Sequence, residues 1–116
     1  MAFALPALAH HSFAAEYDAG KPISITGVIT RLDWTNPHAW IYVDAKNSDG
    51  SLTHWAISAS PPGVLMRRGV RRDELKPGTV IKVDGFRAKD GSSNGYGRKV
   101  IFPDGRSVYI SGEDHP

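Results

Sequence analysis

The chain contains no cysteine. Disulfides and thiolate metal sites are therefore excluded, while the redox compartment is left open. Charge of one sign is scarce too. Fourteen Lys/Arg against twelve Asp/Glu leave a net charge of +2, a field too weak to make nucleic acid the default partner. No apolar run approaches the ~18 residues that a membrane-spanning helix needs. Methionine occurs only twice, so no thioether cluster points to metal transport. Turn formers are plentiful: 12 glycines and 8 prolines in 116 residues. They recur roughly every eight to twelve residues, the spacing of a small all-β domain. The length suits one domain with a single core.

The N-terminus is apolar and built of small residues over 1–9, ending Ala7-Leu8-Ala9. That is the A-x-A pattern signal peptidase cuts. The stretch reads as the remnant of a secretory signal, and cleavage after Ala9 makes His10 the mature N-terminus. Residues 10–22 form an N-terminal arm, 23–112 a barrel domain and 113–116 a tail.

Alternation marks the strands. Residues 23–34 read as a long first strand, with Ile23, Ile25, Gly27 and Ile29 on one face and Val28, Leu32 and Trp34 on the other. A glycine inside a strand signals a bend or bulge, which lets one strand serve two sides of a barrel. The second strand, 38–46, alternates cleanly. Ala39, Ile41, Val43 and Ala45 face the core; His38, Trp40, Tyr42 and Asp44 face away. Asp49-Gly50 turns into a third strand at 52–58, with Trp55 and Ile57 inward and His54 outward beside the aromatic stripe. Ser60 to Gly69 is the helix candidate, with Ser60 as its cap, and Val64 and Leu65 as a barrel plug. A second short turn is expected at 71–75. Strands follow at 79–87, 98–102 and 106–110, separated by a Gly/Ser/Asn loop at 89–97. Three strands, a helix and a hairpin are the order of the OB-fold. The expected fold is thus all-β: a five- to six-stranded OB-like barrel with one short helix between strands three and four.

Between the first two strands lies Trp-Thr-Asn-Pro-His at 34–38. Asn before Pro favours a turn. On an OB-fold, ligands meet the face of strands two and three and the loops after strands one and four. The expected ligand-binding residues are therefore Trp34, Asn36, His38, Trp40, Tyr42 and His54. Histidines are the commonest transition-metal ligands. His10, with its ring and a freed α-amino group, His11 and His38 make a nitrogen-rich set suited to copper or another divalent ion. The arm is also expected to pack Phe13 and Tyr17 on Trp40 and Tyr42, because large exposed apolar patches are uncommon. Arg67, Arg68, Arg71 and Arg72 form a basic cluster, read as a solvated face paired with Asp73 and Glu74. No catalytic set emerges. Ser12 beside His11 lacks a G-x-S-x-G elbow, Asp33 and Asp44 are not an obvious acid/base pair, and the loop 91–97 lacks the Lys-Ser/Thr of a P-loop.

Taken together, Ala-His-His-Ser-Phe-Ala-Ala-Glu-Tyr-Asp (9–18), Trp-Thr-Asn-Pro-His (34–38), Pro-Pro-Gly-Val-Leu-Met-Arg-Arg-Gly (61–69), Leu-Lys-Pro-Gly (75–78) and Gly-Phe-Arg-Ala-Lys-Asp-Gly (85–91) give a recognisable order. The sequence resembles a family of small exported bacterial proteins catalogued as a domain of unknown function. The resemblance implies export to the periplasm and a single OB-like domain, and implies no activity. The expectation is a periplasmic or secreted binding module, monomeric or homodimeric, whose partner is a small ligand or an envelope protein. The alternative is a structural or interaction domain of the envelope without a small ligand. A copper-dependent oxidase would further need the histidines to converge around an open coordination position.

Overall fold

A computed structural model describes residues 15–112. The signal remnant at 1–9, His10, His11, Phe13 and the tail at 113–116 lie outside the described residues. The elements are β1 (Tyr17–Asp33), β2 (Ala39–Lys46), β3 (Leu52–Ala59), α1 (Pro62–Arg67), a 3-10 turn (Arg72–Leu75), β4 (Val80–Ala88), β5 (Asn94–Ile101) and β6 (Ser107–Tyr109).

The six strands form one sheet in the order β3-β2-β1-β4-β5-β6, and β3 also pairs with β5. That last pairing is parallel, Ala56 to Asn94 through Ser58 to Tyr96. It joins the two ends of a five-stranded run, so the hydrogen bonding closes into the ring expected of an OB-like fold, with β6 added outside it.

Strand β1 makes the ring possible. Its first part pairs with β4, and its last part, from Gly27 to Asp33, with β2. It begins at Tyr17, six residues before the expected start, inside the stretch read as an arm. Gly20 and Pro22 are tolerated because they fall where the β1–β4 register slips, between Tyr17 and Pro22. The β1–β2 register also shifts, between Ile29 and Arg31. One extra residue reverses the inward/outward parity. Leu32 and Trp34 therefore pack against the same core as Ile29, not on the opposite face as strict alternation predicts.

The interior holds the expected aliphatic set. Ile41, Val43, Ile57, Ile81, Val83 and Val100 are fully buried, and Trp55 is 6% exposed. Leu65 of α1 joins this core with Val70 and Leu75, which follow it. Each such side chain contributes about 1.5–3 kcal/mol of burial. The helix is shorter than expected and Ser60 does not cap it. Pro61 holds the N-cap position, and Ser60 instead donates its amide to Ile110 O at 2.6 Å. Strand β5 starts at Asn94, so the 89–97 loop contracts to its first half.

Candidate functional site

The β1–β2 corner is built from the motif at 34–38. The Asn36–Pro37 peptide is cis, and the Thr35 hydroxyl donates to His38 O at 3.2 Å. Asn36 and His38 are exposed, whereas Trp34 is half-buried against the core. Trp34 is thus a packing residue rather than part of a platform. His38 Nδ1 lies 3.1 Å from Ala59 O. A carbonyl only accepts, so Nδ1 carries the proton, and in the neutral ring Nε2 keeps its lone pair.

Trp40, Tyr42 and Asp44 line the outer face of β2, and the fold gives each a different neighbour. Tyr42 Oη donates to Asp33 Oδ2 at 3.2 Å, and the Arg31 guanidinium stacks 5.2 Å from its ring centre. Partial burial and then the Asp33 carboxylate raise the phenol's pKa, so it stays a neutral donor. Asp44 accepts from His54 Nδ1 at 2.6 Å, the two residues being directly opposed across β2 and β3. His54 is therefore six residues up the ladder from the corner, roughly 20 Å from His38 at the rise of a strand. The six expected ligand-binding residues do not form one site.

Trp40 meets a cavity. A cleft of about 560 Å³ is lined by Glu16, Tyr17, Trp40, Lys89, Asp90 and Asn94, with two alanines. It joins the start of β1, the loop after β4 and the β2 outer face. Tyr17 is 8% exposed. Its hydroxyl bonds the Ser58 side chain, and its ring lies 5.7 Å from that of Tyr96. Ser58 opposes Trp40 across the ladder, so Tyr17 is held beside the outer face through Ser58 and Tyr96, rather than on the Trp40 and Tyr42 rings as the sequence pattern predicts. Burial and the nearby Glu16 carboxylate push the Tyr17 phenol up. Lys89 enters because its amide donates to Glu16 O at 2.8 Å. Glu16 carries no signal in the sequence; only the pairing of 16 with 89 brings it here.

Among the described residues no three His, Asp or Glu side chains cluster as a metal site, and no helix is long and apolar enough to cross a membrane. His38 is the one expected metal ligand within the described region. No curated protein matches this sequence. The model of a family of unknown function, DUF6152, matches residues 1–98, and the chain belongs to that family.

Proposed function

We propose that this protein is an exported, non-enzymatic binding module that holds a divalent transition metal, copper foremost, between His38 and the N-terminal pair His10 and His11. The observation that carries it is the state of the His38 ring: exposed, with its Nδ1–H given to the Ala59 carbonyl. Metal-binding imidazoles are oriented in this way, one nitrogen held by a carbonyl and the other left to the ion. Reach supports the same set. Tyr17 is bonded to Ser58, the neighbour of the residue that holds His38. His11 is four residues before Ala15, and an extended chain covers up to ~14 Å in that span, about three strand spacings. Cleavage after Ala9 adds the His10 amine, and nitrogen-rich sets favour Cu(II) among divalent ions. The same A-x-A pattern supports a periplasmic or secreted location.

The test is a Cu(II) titration, by calorimetry and electron paramagnetic resonance, of chain beginning at His10. One equivalent is expected to bind with nitrogen hyperfine structure. His38→Ala should weaken it about tenfold or more, and retention of residues 1–9 should weaken it too. Equally weak binding by all three proteins sinks the proposal. It would favour the second reading, an envelope interaction domain without a small ligand. That reading draws on Val28 and Val80, which oppose each other across β1 and β4 yet remain 42% and 48% exposed.

A further inference from the structure

Four arginines close together in sequence, at 67, 68, 71 and 72, read as one solvated face. The fold divides them. Arg68 turns to the C-terminal stretch, donating to the carbonyls of Tyr109 at 2.9 Å and Gly112 at 3.1 Å. Arg71 and Arg72 instead enter a groove of about 710 Å³ between the bulged part of β1 and the 3-10 turn. Arg31 joins them from β1 and Lys76 from the chain beyond the turn, with Asp73 as the lining carboxylate. Asp73 in the lining and Asp33, bonded to Arg31, offset two of these four cations, so the groove keeps two positive charges.

Two of the cations are already engaged. Arg31 Nε bonds Asp33 at 2.9 Å, and Arg71 Nε bonds Asp73 at 3.2 Å. Arg72 and Lys76 have no ion-pair partner among the described residues. A guanidinium offers two parallel N–H bonds that match a phosphate edge, and an ammonium adds a point charge. The volume is that of a small-molecule site. Leu32 gives the lining an apolar part, and no aromatic ring lines it. Single-stranded nucleic acid would want such rings to stack on.

We propose that this groove binds small phosphorylated molecules, with Arg72 and Lys76 as the principal contacts to the phosphate oxygens. The site is independent of the histidine corner. Inorganic pyrophosphate is the probe, titrated by calorimetry at low and at physiological ionic strength, with vesicles of anionic phospholipid as a second arm. One site is expected, weaker at the higher salt. Arg72→Ala and Lys76→Ala should each weaken it about tenfold. Both side chains are exposed, so the fold should be kept, which circular dichroism checks. Lys46→Ala removes an exposed cation on β2, outside the groove, and should leave binding unchanged. No pyrophosphate binding, or equal losses in Lys46→Ala and the groove variants, overturns the proposal. Binding to vesicles without binding to pyrophosphate overturns it in favour of a membrane surface.

Discussion

At Gly27 the missing side chain is what lets two backbones meet. A Cβ there would run into the carbonyl oxygen of Asp44, and would come 2.8 Å from the carbon of that carbonyl. Neither group can swing aside, as the end of a flexible side chain could. Gly27→Ala must therefore spread β1 from β2, and should cost about 1–3 kcal/mol, the range for overpacking. Urea unfolding should show a lower midpoint at unchanged slope. Thr26→Ala, one residue earlier and solvent-facing, should stay within about 0.5 kcal/mol. Equal midpoints for the two variants would show that the strands give way without cost. The sequence marks Gly27 as special but not why. A glycine inside a strand fits a bulge and a close approach equally well, and only the position of Asp44 decides between them. His38 is similar: its place at the corner was legible, whereas the Ala59 carbonyl that orients it comes from 21 residues away.

Between β3 and β4, charge does more than cover a helix. The 3-10 turn is closed by Glu74, whose carboxylate accepts from the Arg71 amide at 2.9 Å and from Arg106 Nη2 at 2.7 Å. The Arg71 amide bond first, and then Arg106, hold the Glu74 carboxyl below its ordinary pKa. A carboxyl depressed by folding contributes stability above its unfolded pKa, roughly 4.3. That contribution is lost as pH falls through the lower folded value. Thermal midpoints should therefore drop below about pH 4.3, and Glu74→Gln should flatten part of that slope while leaving neutral-pH stability slightly reduced. Parallel pH curves for the two proteins would remove Glu74 from the account. The turn itself was expected at 71–75, and the pairing of Glu74 with Arg106 was not. That contact links the turn to the β5–β6 hairpin, and no local pattern announces a pairing 32 residues apart.

Across the whole molecule, the element order and the inward sets of β2, β3 and β4 were readable because each strand alternates over one buried face. The outer face was harder. Trp40, Tyr42 and His54 share a stripe in the sequence, yet each answers to a different neighbour: the cleft, Asp33 and Asp44. The ring closure between β3 and β5 was implied only by fold analogy. Its physical condition sits at Gly97. A Cβ at that position would lie 2.5 Å from Ile57 Cγ2, 2.9 Å from Ile110 Cδ1 and 3.0 Å from Ser58 O. Two of those three neighbours belong to β3, so any side chain at 97 pushes β5 off the strand that closes the ring. Gly97→Ala should lower stability by about 1–3 kcal/mol. It should also speed hydrogen exchange at the Ala56 amide, which donates across the seam to Ser93 O at 3.0 Å, more than at the Tyr42 amide within the β1–β2–β3 meander. Asn94 begins β5 and lines the Trp40 cleft, so loosening the seam should also change the environment of the Trp40 indole. Uniformly faster exchange in both places would mean that the ring opens only when the whole domain unfolds.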